Sequence, residues 1–109
     1  MIQDDPIEQN KKIVVYIDPE LEELIPGFFE NRRSDIKTIQ EALIKGDYEK
    51  IKILGHCMKG SGGGYGFDEI SRIGDLLEQA AEKQDSEEIQ KGLNQLLTYL
   101  EKVEIVYKN

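Results

Sequence analysis

From Asp18 onward, apolar residues recur every three or four positions in stretches divided by glycines, prolines and short polar breaks, the pattern of consecutive amphipathic helices. Asp18-Pro19-Glu20 opens the first: Asp caps, Pro suits the first helical position, and Glu favours the positive end of the helix dipole. This first helix is short, because Pro26 interrupts it or opens the next. The second spans 27–45, with Phe28, Phe29, Ile36, Ile39 and Leu43 at helical spacing and Gly46 as its stop. Asp47 caps a third, which carries Ile51, Leu54, Met58 and Tyr65 on one side and runs toward Gly66. A fourth opens near Asp68 and aligns Ile70, Ile73, Leu76, Leu77, Ala80 and Ala81. It yields at Gln84-Asp85-Ser86, where Asp85 and Glu88 have capping-box spacing. The fifth buries Ile89, Leu93, Leu96, Leu97, Leu100 and Val103, tolerates the helix-weakening Gly92, and frays at its end.

Residues 1–12 are polar and without periodicity, so they read as a flexible tail. Ile13-Val14-Val15-Tyr16-Ile17 is a β-branched run, but with no evident partner strand it is expected to lie extended against a helical core rather than in a sheet. Connections this short join antiparallel neighbours. The expected fold is therefore all-α: an antiparallel up-down-up-down four-helix bundle over 13–109 with a short extra N-terminal helix.

Composition narrows the function. A chain of 109 residues, 39% hydrophobic and 33% charged, suits one soluble helical domain with one core. The formal net charge of −8, with no compensating basic cluster, argues against nucleic-acid and membrane partners. One cysteine, Cys57, and one histidine, His56, make neither an internal disulfide nor the usual zinc site. Neither a secretory leader nor an apolar run of spanning length is visible, so the expected location is cytoplasmic.

The candidate chemistry centres on the third helix. At about 100° per residue, Leu54, Met58 and Tyr65 fall roughly opposite His56, while Lys52, Lys59, Gly60 and Gly63 lie within about 60° of it. His56 is thus expected to face solvent, where a largely neutral imidazole can attack a phosphoryl group without first shedding a proton. Lys59, one turn on, supplies a cation for phosphoryl oxygens, and Lys52, one turn back, is a second candidate. Gly60 and Gly63 keep the same face bare. Five glycines among the seven residues from Gly60 to Gly66 disfavour a helix, at about 1 kcal/mol each, and so call for a reason. Close helix packing at Gly62 and a left-handed stop at Gly66 account for two more. A nucleotide-binding loop does not fit, because Lys59-Gly60-Ser61 has neither the order nor the preceding strand of a P-loop.

The run His56-Cys57-Met58-Lys59-Gly60-Ser61-Gly62-Gly63-Gly64-Tyr65-Gly66 resembles the motif of histidine-containing phosphotransfer (HPt) domains, and the helices from about 18 to 105 fit that family's bundle. The resemblance implies a phosphocarrier rather than a self-sufficient enzyme. His56 would take phosphate on Nε2 from a receiver-domain aspartate or a hybrid sensor histidine kinase and pass it to another receiver, with Lys59 supporting the phosphate and Gly60 standing beside the ring. No cofactor is implied for this chain, since Mg²⁺ is expected in the partner receiver, and the domain is expected to be a monomer. Many members carry Gln where Glu78 stands here; a carboxylate does not stabilise phosphate but can hold an imidazole N–H. The competing expectation is a helical adapter that uses the bare face for contact alone.

Overall fold

The computed structural model describes residues 12–108, and the tail expected over 1–12 lies outside them except for Lys12. The order is strand β1 (Ile13–Ile17), a 3-10 helix (Pro19–Leu24), helices α1 (Ile25–Lys45), α2 (Tyr48–Gly64), α3 (Asp68–Glu82) and α4 (Ser86–Lys102), and strand β2 (Val103–Tyr107). Local chemistry sets most of these boundaries. The Asp18 carboxylate accepts the Glu20 N–H at 2.9 Å at the head of the 3-10 helix, and Pro26 occupies the first turn of α1. Gly46, at φ 71°, closes α1 in the left-handed region, and Asp47 then caps α2 by accepting the Lys50 N–H at 3.2 Å. Gly66, at φ 91°, turns the chain toward α3, and Asp85 accepts the Glu88 N–H at 3.2 Å to start α4.

The helices pack in a ring, α1 against α2 and α4, α2 against α3, and α3 against α4. Their apolar stripes meet in one core that includes Ile36, Ile39, Ile51, Met58, Ile70, Ile73, Leu77, Ile89, Leu93 and Leu96. Burial of such side chains, at about 1.5–3 kcal/mol each, is the main force closing the ring. Phe67, in the α2–α3 connection, is fully buried and stacks on Phe28, with ring centroids 5.4 Å apart and planes 11° apart. The connection is thereby locked against α1.

Two expectations are corrected. The chain is not wholly helical: β1 pairs in parallel with β2, Ile13 opposite Val103 through Ile17 opposite Tyr107, so the end expected to fray is a strand. Val103-Glu104-Ile105-Val106-Tyr107 alternates as a half-buried strand should, yet its first residue also fits the helical stripe of α4, and its partner is ninety positions away. Leu97 is the second correction. It is 46% exposed, while Tyr99 takes a buried place on α4.

Burial, followed by the nearby carboxylates of Glu69 and Asp68, pushes the Tyr99 phenol up to about 12. The folded state thus keeps a proton that the unfolded chain releases near the ordinary value of 10.0, so this contribution is intact below pH 10 and is lost as pH rises toward 12. Urea unfolding at pH 9 and at pH 11.5 should show the wild type losing up to about 2 kcal/mol more stability than Tyr99→Phe.

Candidate functional site

The site begins with two glycines. A Cβ on Gly55 would lie 2.8 Å from the Glu78 nitrogen and 2.9 Å from the Gly74 carbonyl oxygen; one on Gly74 would lie 2.5 Å from the Lys59 nitrogen and 2.7 Å from the Gly55 carbonyl oxygen. The α2 and α3 backbones therefore touch where no side chain fits between them. Gly62 repeats the contact farther along, where a Cβ would lie 2.7 Å from the Ser71 nitrogen. The Ser71 hydroxyl donates to the Lys59 carbonyl and ties the helices between these two points.

This approach brings α3 side chains onto the face that carries His56. The imidazole is 71% exposed and places Nδ1 3.1 Å from Oε2 of Glu78, whose own side chain is only 20% exposed. A carboxylate oxygen accepts, so the contact suits Nδ1 as the donor, and in the neutral ring that tautomer carries the lone pair on Nε2. The second oxygen, Oε1 of Glu78, is shielded from solvent and has no hydrogen-bond partner; Lys59 Nζ stands 3.8 Å from it, a Coulombic contact too long for a hydrogen bond. Lys59 Nζ also lies 3.2 Å from Asp75, and its pKa is raised, first by the hydrogen bond to Asp75, then by the Asp75 and Glu78 charges. Asp75 is correspondingly lowered, chiefly by that same hydrogen bond.

The expected residues fall on this face in different ways. His56, Lys59 and Glu78 come together around one point. Lys52 is engaged elsewhere, with Nζ 2.7 Å from Glu82. A Cβ at Gly60 would meet nothing within 4 Å, and one at Gly63 would meet only the Ser71 hydroxyl at 3.9 Å, so both leave the outer face open. Gly64, likewise unobstructed, has no structural role that the geometry explains. Beside the histidine, a groove of about 420 Å³ runs between α1 and α2 and is lined by Leu24, Phe28, Arg32, Cys57, Ser61 and Tyr65 among others. Arg32 is fixed over the Phe28 ring at 4.8 Å and donates to Asp35 at 2.9 Å and to Ser61 at 3.2 Å. Among the described residues, no group of three or more His, Cys, Asp or Glu is placed to hold a metal ion.

Sequence reading missed Gly55, Gly74 and Asp75. The first two had a signal: each is a glycine inside an amphipathic helix, away from any turn, where only close packing offsets its cost. Asp75 had little, because a carboxylate on a polar helix face reads as solvated until the neighbouring helix is placed.

Two measurements test the geometry. Gly74→Ala forces the backbones apart and should destabilise the fold by about 1–3 kcal/mol in urea titration, while Gly64→Ala, with free space, should stabilise it by up to about 1 kcal/mol. Glu78→Leu removes the acceptor, so ring ¹⁵N shifts should show the Nδ1–H tautomer of His56 losing its preference; an unchanged tautomer ratio would deny Glu78 that role.

Comparison with known proteins adds one match. Residues 23–104 fit the family model described as the Hpt domain, which covers all four helices. Neither the curated proteins nor the solved structures yielded a match.

Proposed function

The chain belongs to the Hpt domain family, and from that premise we propose that His56 is its phosphoryl-accepting residue, taking phosphate from a receiver aspartate or a kinase and passing it to another receiver. Hpt domains are phosphocarrier modules of two-component phosphorelays that act with receivers and kinases, rather than enzymes in their own right. The observation that carries the residue assignment is the contact between Nδ1 of exposed His56 and the half-shielded Glu78, which leaves Nε2 outward with its lone pair. The reading keeps the helices antiparallel, as their two- and three-residue connections favour.

In the forward step Nε2 attacks phosphorus in line. The new P–N bond forms as the P–O bond to the receiver aspartate breaks, and the electron pair leaves with that aspartate as a carboxylate. The ring keeps its Nδ1 proton and becomes a phosphoimidazolium whose positive charge faces Glu78. In the return step a carboxylate oxygen of the next receiver's aspartate attacks phosphorus, the new P–O bond forms as the P–N bond breaks, and neutral imidazole leaves, still held through Nδ1. Mg²⁺, which would neutralise phosphoryl charge, would be held by the receiver and not by residues of this chain.

Lys59 is the cation on this face, though at rest it is bound to Asp75. Rotation about its side chain moves Nζ from Asp75 toward an arriving phosphate, and Asp75 thus competes with the phosphate for the same charge. Lys52, paired with Glu82, is a weaker candidate for this task. Bare Gly60 and Gly63 admit the receiver, and exposed Leu24, which lines the groove, and exposed Ile53, one turn before Cys57 on α2, give it apolar contact. No helix among the described residues is long and apolar enough to cross a membrane.

Incubation with a phosphorylated receiver should label the wild type with an acid-labile, base-stable phosphate, and His56→Gln should take none. Undiminished transfer to that variant would instead favour the adapter reading. Lys59→Ala should slow transfer only about two- to fivefold, because an exposed ion contact contributes little, and should leave helicity intact by circular dichroism.

A further inference from the structure

The two-stranded sheet leaves one edge of each strand without a partner among the described residues. Its outward face presents Val14, Tyr16 and Val106, which are 48%, 63% and 38% exposed, next to Glu104. A row of open backbone donors and acceptors beside exposed apolar side chains is a template for a further strand.

The two edges differ in what they accept. β1 is bounded by Lys12 and Asp18, opposite in sign and equally far from Val15. Antiparallel pairing of β1 with the β1 of a second copy, centred on Val15, sets Lys12 against Asp18 twice and Val14 against Tyr16 twice. Aromatic with β-branched and cation with anion are favourable cross-strand pairs. β2 is bounded by Lys102 and Lys108. The same operation centred on Ile105 sets lysine against lysine, which disfavours it.

We propose that β1 is a homodimer edge: two copies join by antiparallel β1–β1 pairing into a four-stranded sheet ordered β2-β1-β1-β2. The occupant is a second copy because β1 is complementary to itself about a two-fold axis, as an isologous interface requires. The sheet was not foreseen from the sequence, and the proposal replaces the monomer expected there with a dimer.

Light scattering of the full chain across a concentration series should show a monomer–dimer equilibrium. Tyr16→Lys should raise the dissociation constant at least roughly tenfold while leaving helicity unchanged, because it removes two cross-strand pairs per dimer. Register is tested in a Cys57→Ser background by mixing Val14→Cys with Tyr16→Cys and oxidising with copper-phenanthroline. The mixed pair should cross-link in preference to either variant alone. A monomer at every concentration up to millimolar, a dimer indifferent to Tyr16→Lys, or cross-linking without preference for the mixed pair would each overturn the proposal.

Discussion

Everything distinctive about this domain's working face depends on backbone meeting backbone between α2 and α3. Gly55 and Gly74 remove the two Cβ atoms that would separate the helices, and Gly62 does the same farther along. Ordinary helix pairs are spaced by side chains at about 8–10 Å between axes. Without that spacer, a glutamate of moderate reach on α3 holds the ring of an otherwise free histidine on α2. The apolar core secures the same helices from the inside, but it does not set this distance.

A consequence is that the histidine is positioned without being buried. Exposure is needed if a second protein is to reach the ring, yet an exposed imidazole ordinarily rotates among several orientations at little cost. Glu78 resolves the conflict because it is itself shielded, with one oxygen committed to the ring and the other left unpaired near Lys59. Lys59 is held in reserve by Asp75 in turn. The arrangement is a chain of charged contacts from α3 to α2 and back.

Much of this was legible in the sequence, for reasons that differ by residue. The helices were readable because their signals are local: Asp18, Asp47 and Asp85 accept backbone N–H groups within three residues, and Gly46 and Gly66 adopt the left-handed conformation that stops demand. The exposed placement of His56 opposite Met58 followed from rotation per residue alone. What involved two distant segments was not readable. Val103 satisfies a helical stripe as well as a strand, and only the position of Ile13 decides between them. On α4 Leu97 stays half-exposed and Tyr99 is buried, a choice that depends on which neighbouring helices flank each position rather than on the stripe alone. Asp75 and Glu82 acquire lysine partners only once α2 and α3 are laid together.

The parallel strands also bear on the order in which the molecule takes shape. α2 and α3 are joined by three residues, so the face that carries His56 is built from neighbours in the chain and closes a short loop. The sheet joins positions ninety apart and closes a far longer loop, so its pairing costs more chain entropy than the α2–α3 contact does. The strands also belong to the core they fasten, since Ile17 is buried in it and Val15, Val103, Ile105 and Tyr107 pack against it. The face that carries His56 and the end that gathers the two strands therefore close loops of very different length around one shared core.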